Sequence, residues 1–172
     1  MKSTITVIEK VTTGIGYATA LLIIPLVIAT CYEVFARYIF GAPTIWAFEL
    51  GYSIMGVHFL LGAALTLRRG AHIRIDLIYA HLKPRTQAII DLVLYVCFLA
   101  PFLIFLSDWM LSFAYDAFIS GERTGQSAWN PPIWPFRFLI SSAIVVLLLQ
   151  VIAEILKCIV VLVGKDQRSA EA

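Results

Sequence analysis

Few side chains in this 172-residue chain could do chemistry: 11 Asp and Glu, 13 Lys and Arg, and 3 His, scattered among long apolar runs. Relaying protons or holding a charged solute inside an apolar medium needs ionisable groups at mid-depth, where each costs about 2.5–3.5 kcal/mol to insert. Glu33, Arg37, Glu49 and Asp108 stand near one end of their runs, and Asp91, Glu154 and Lys157 near the other. No row of such groups crosses the middle. Structural pairing, for instance of Arg37 with Glu49 or Glu33, therefore accounts for them better than transport chemistry. His58 is the only deep histidine, and a haem held by two histidines needs a second at matching depth on another helix. A packed, hydrogen-bonded interface residue is the expectation for His58. The chain has no HExxH, no CxxC, no glycine-rich phosphate loop and no Ser/His/Asp set that could converge. The expectation is no enzyme activity, with no catalytic, metal or cofactor-binding residue and no cofactor.

The elements that position these residues follow from composition. At 60% hydrophobic and 14% charged, with mean hydropathy +0.88, the chain is far more apolar than a soluble domain. It reads as an integral, all-α membrane protein. A net charge of +2 gives no footprint for nucleic acid. Cys31, Cys97 and Cys158 lie far apart inside apolar runs and read as small buried hydrophobes rather than a disulfide or metal framework.

Charge orients the spans. Arg68, Arg69, Arg74, Lys83 and Arg85 crowd one connector, and Lys and Arg mark the cytoplasmic side. With that connector inside, Lys2, Lys10, Lys157, Lys165 and Arg168 also fall inside, and only Arg37, Arg123 and Arg137 fall outside. Both termini are then cytoplasmic. The resulting single domain, residues 1–172, has four spans at about 11–38, 44–67, 86–113 and 136–163. The first run is too long for a cleaved signal segment. Pro25 should kink the first span and is the only residue expected to interrupt a span at depth. Gly41-Ala42-Pro43 should end that span, with Pro43 opening the next.

On a helical wheel the second span carries two stripes of small and polar residues: Glu49, Ser53, Gly56 and Ala63 on one side, Gly51, Met55, His58, Gly62 and Thr66 on the other. Such residues mark helix contacts in lipid, so the span should have neighbours on two sides. Arg74 to Lys83 should be a short interfacial helix on the inner surface. The long outer loop, from Ala114 to Pro135, holds Gly121, Gly125 and several prolines. All four tryptophans, Trp46, Trp109, Trp129 and Trp134, fall on the outer side, which suits a surface that meets something there.

The motif Arg37-Tyr38-x-Phe40-x-x-Pro43-x-x-Trp46-x-x-Glu49, followed by Phe59-Leu-Leu-Gly62-Ala-Ala and Arg68-Arg69-Gly70-Ala-His72-Ile-Arg74-Ile-Asp76, resembles the small membrane subunit, DctQ type, of tripartite ATP-independent periplasmic (TRAP) transporters. The outer loop, with Ser127, Pro132 and Pro135, resembles that family's loop as well. The resemblance implies a scaffold subunit in the bacterial inner membrane. Its partners would be membrane lipids, a large elevator-type subunit holding the substrate and sodium sites, and a periplasmic solute-binding protein delivering an organic acid. It makes Arg37, Trp46, Glu49, Ser53, His58, His72, Arg74 and Asp76 candidates for the subunit interface, and Arg123, Trp129 and Trp134 candidates for docking the binding protein. Two other classes compete with it on the residues alone: a membrane anchor or redox subunit, and a small oligomeric channel or carrier.

Overall fold

The computed structural model describes residues 2–71, 79 and 82–170. Their helices are α1 (Lys2–Ala20), α2 (Ile23–Tyr38), α3 (Ala47–Arg68), α4 (Pro84–Leu94), α5 (Ala100–Ser120) and α6 (Trp134–Ala170), with a π-helical turn at Tyr95–Leu99 between α4 and α5. They make four stretches long and apolar enough to cross a membrane: Ser3–Tyr38, Ala47–Arg68, Pro84–Ser120 and Trp134–Val163. The chain is an all-helical, multi-pass membrane protein. The interfacial helix expected over 74–83 falls, apart from Tyr79, Leu82 and Lys83, outside the described residues.

Pro25 divides the first span. It has no N–H for the Leu21 carbonyl, so the Ile24 N–H donates there instead, at 3.1 Å, and the Leu22 N–H donates to Thr19 O at 3.0 Å. One turn tightens to i→i+3 bonding and separates α1 from α2. The Thr19 carbonyl also receives Nδ1 of His58 across the helix interface at 3.0 Å. A carbonyl oxygen can only accept, so His58 carries its proton on Nδ1. The histidine thus stitches the second span to the weak point of the first.

The third span corrects the expectation that Pro25 alone interrupts a span. Pro101 removes another N–H and would crowd the carbonyl four residues before it. The π turn just ahead relieves this, with the Ala100 N–H reaching back to Tyr95 O. This span also runs to Ser120, not Phe113. Ala114 and Ala117 are completely buried, which lets α5 stay packed on α6, and Gly121 ends the helix in the left-handed conformation at φ 65°. The outer loop therefore starts seven residues later than expected. The second span likewise starts late, at Ala47 rather than Thr44, because Thr44 turns its backbone N–H and hydroxyl to the Glu33 carboxylate.

The fourth span is the centre of the bundle, packing on α1, α3, α4 and α5, whereas α2 packs on α3. Alanines fill the contacts: Ala64, Ala143 and Ala153 have no exposed surface. Small residues let helices approach closely where lipid supplies no hydrophobic drive. Gly16 is the tightest such place; a Cβ there would meet the Leu65 side chain at 2.7 Å. The two stripes of α3 meet different neighbours. Glu49 and Gly56 face the outer loop and Phe136, while Gly51 and His58 face the first span. Met55 departs from its stripe and is 64% exposed.

His58→Leu removes one of the two donors on the Thr19 carbonyl, leaving it only the Leu22 N–H, and should lower stability in detergent by about 0.6–1.7 kcal/mol. In a Pro25→Ala background, where the helix can supply its own donors, the same substitution should do less. Thermal melts of the two single variants and the double variant measure that coupling; strict additivity would refute it.

Candidate functional site

Two polar clusters, one at each end of the bundle, hold the functional candidates. At the end that carries the basic connector, here called the inner end, Glu9, Arg68, Glu154 and Lys157 tie three spans together. Lys157 Nζ is 2.9 Å from Glu9 and 2.6 Å from Glu154, and Arg68 reaches Glu9 at 3.7 Å and the Thr13 hydroxyl. Gln150, fully buried, donates its amide to Glu154 at 2.8 Å. These groups are partly exposed apart from Gln150, so their value lies in register more than in energy. Beside them the Tyr79 hydroxyl donates to Asp91 at 2.6 Å, and Gln87 donates to the Tyr79 carbonyl at 2.8 Å. The inner connector is thereby pinned to the start of the third span. His72, Arg74 and Asp76 lie outside the described residues.

At the outer end Arg37 pairs with Glu33, not with Glu49. The other oxygen of Glu33 takes Thr44, and Trp46 stacks on Tyr32 with centroids 6.0 Å apart. These contacts close the corner between the first and second spans. Glu49 turns elsewhere. It is 1% exposed, and its Oε2 accepts a hydrogen bond from the Thr124 hydroxyl at 2.8 Å, while its Oε1 has no partner among the described residues. Sequence reasoning missed Thr124, which gives no signal of its own among loop residues. The bond is a latch that fastens the outer loop to the second span.

The loop folds on itself around Asn130, whose φ is +44°. The Asn130 carbonyl accepts Arg123 at 2.9 Å and its side chain accepts the Gly125 N–H at 2.9 Å. Thr124 and Pro131 are joined at 3.1 Å, as are Ile133 and Glu122. Arg137, at the start of α6, donates twice to Glu122 at 2.6 and 2.7 Å and lies 3.6 Å over the Phe113 ring. Those two bonds hold the Glu122 carboxyl below its ordinary value of 4.5. Trp129 stays exposed on the loop, whereas Trp134 packs edge-on against Phe118 and Phe138 at 5.3 and 6.1 Å. Beneath the loop is an apolar cavity of about 360 Å³, lined in part by Leu50, Ser53, Val57, Trp129, Ile133 and Phe136.

Asp108 lies deeper than its sequence position implied, because the third span continues for twelve residues beyond it. Phe118 meets Trp134, and Phe113 lies under Arg137. At 1.5 Å per residue Asp108 is about 15 Å inward of Phe118 and about 7 Å inward of Phe113. It is nevertheless exposed, on the side of α5 away from its buried residues Leu103, Ser107, Ala114 and Ala117.

Two expectations follow for the outer end. Thr124→Val leaves Glu49 with no hydrogen bond, an unpaired buried group that costs about 1–3 kcal/mol. The loop should then open, and trypsin should cut after Arg123 faster in membranes with that side accessible; an unchanged cleavage rate rules the latch out. For Glu122 the folded-state pKa is depressed, so its stabilising contribution is complete above pH 4.5 and disappears as pH falls through the lower folded value. Glu122→Gln should flatten the acid limb of a stability–pH curve below about pH 4.5 and leave the neutral region less stable.

The clusters are ties, and nothing in them converges on a reacting atom. Among the described residues no group of three or more His, Cys, Asp or Glu could hold a metal ion. No curated protein and no solved structure matches the chain. Residues 26–160 match the family described as "Tripartite ATP-independent periplasmic transporters, DctQ component". That span takes in the outer corner, the latch, the folded loop and Glu154, and the family is a transporter component rather than an enzyme family. Associated with a large membrane subunit and a binding protein in a tripartite system, the chain belongs to the DctQ family and is a TRAP transporter small permease subunit.

Proposed function

We propose that this subunit is the static partner of a large elevator-type subunit, in sodium-coupled, binding-protein-dependent uptake of an organic acid across the bacterial inner membrane. Both termini are cytoplasmic in this reading, which puts the inner cluster and the basic connector on the side where Lys and Arg concentrate. The observation that carries it is the division of the bundle into two polar ends and a packed middle. Glu9, Arg68, Glu154 and Lys157 lock one end. Glu33 and Arg37, with the Glu49 latch, lock the other. Between them the core residues Leu103, Ile144 and Val151 are apolar and buried.

An elevator needs a frame that stays in place while another body slides, and a bundle fixed at both interfaces resists tilting. The substrate and sodium sites then belong to the large subunit, and no cofactor is required here. Arg37 and Trp46 at the outer corner, with Ser53, are proposed to support the large subunit from outside, and His72, Arg74 and Asp76 from the inner connector. His58 serves the interface indirectly, by holding the broken first span against the second. The folded outer loop, with Arg123 and the exposed Trp129, faces the binding protein; Trp134 supports it from beneath.

Reconstitution tests the reading. Uptake into liposomes should require this chain, the large subunit, the binding protein and an inward sodium gradient together. Solute flux through this chain alone would overturn it.

A further inference from the structure

We infer that the outward face of α5, along Asp108, Ser112 and Asp116, seats a transmembrane helix of the large subunit that presents a Lys or Arg side chain level with Asp108. This deepens the proposed function and rests on it. Among the described residues Glu9, Glu33, Glu49, Asp91, Glu122 and Glu154 each accept a hydrogen bond or ion pair. Asp108 and Asp116 make none with any described residue. Together with Ser112 they stand at i, i+4 and i+8, and all three are exposed. On a wheel of 100° per residue they lie opposite the packed face, flanked by Phe105 and Ile119, which are 78% and 65% exposed.

Depth selects the occupant. Ionisable residues within a span face a bundle interior and pair there, so a carboxylate facing away from its own bundle implies a larger one. Asp has a single methylene and cannot reach the interface as Lys or Arg can. A soluble binding protein cannot descend to this level. A second copy meeting this face across a two-fold axis would set the same carboxylates against each other. A membrane-spanning partner with a cation remains, and it suits both the charge and the apolar rim.

Photo-crosslinking in the intact complex tests this, with p-benzoylphenylalanine replacing Ser112 or Phe105. Covalent adducts with the large subunit are expected. Asp108→Asn should reduce recovery of the large subunit roughly tenfold, yet leave the melting temperature of this chain alone unchanged or raised, since an unpaired charge is removed. Adducts confined to lipid or to a second copy, in a preparation where the large subunit copurifies, would overturn the inference and leave the proposed function standing. A lower melting temperature for the Asp108→Asn chain alone would assign that residue to internal structure and also overturn it. Failure of the large subunit to copurify with the unaltered chain would remove both.

Discussion

Lipid cannot hydrogen-bond, and that single constraint organises the molecule. Every polar group carried into the bilayer must find its partner on another helix or on its own backbone. The Thr19 carbonyl shows the rule at its plainest: beside the break that Pro25 makes, it is met by a histidine that the second span supplies at the same depth. The carboxylate of Glu49 is met by a hydroxyl from a loop 75 residues away in sequence. Because each solution joins elements distant along the chain, satisfying polar groups and assembling the bundle are the same event.

The four spans, their all-helical character and the need of the second span for two neighbours were legible in the sequence, since apolar length and small-residue stripes are local signals. The departures come from places where tertiary packing overrides a local sign. The third span runs past its expected end at Phe113 because Ala114 and Ala117 are fully buried against the fourth span. Pro43 looked like a helix start, but Glu33 holds the next residue in a non-helical corner. Pro101 was an available sign of interruption that hydropathy hid. The roles of Arg37 and Glu49 needed coordinates. Arg37 has its partner four residues away on its own helix, and nothing in the composition of Thr124 marks it as the partner of Glu49.

A static frame of the kind proposed has to resist both bending and sliding of its helices. Bending is opposed by close packing along the central fourth span, where Ala143, Val151 and Ala153 leave no exposed surface. Sliding is opposed at the ends, where Lys157 links α1 to α6 through Glu9 and Arg137 links α6 to the loop through Glu122. Ties of this kind contribute little net energy. Their effect is to make every axial displacement of one helix break contacts at both surfaces together.

The π turn at Tyr95–Leu99 has a geometric consequence. A π turn holds one residue more than the α-helix would, and each helical residue advances the azimuth by about 100°. The two halves of that long helix, before and after the turn, are thus phased independently, like two cams on one shaft. Deleting a single residue there would rotate the Ala100–Ser120 half by about that angle, swinging its acidic stripe out of line while α4 kept its seat against α6.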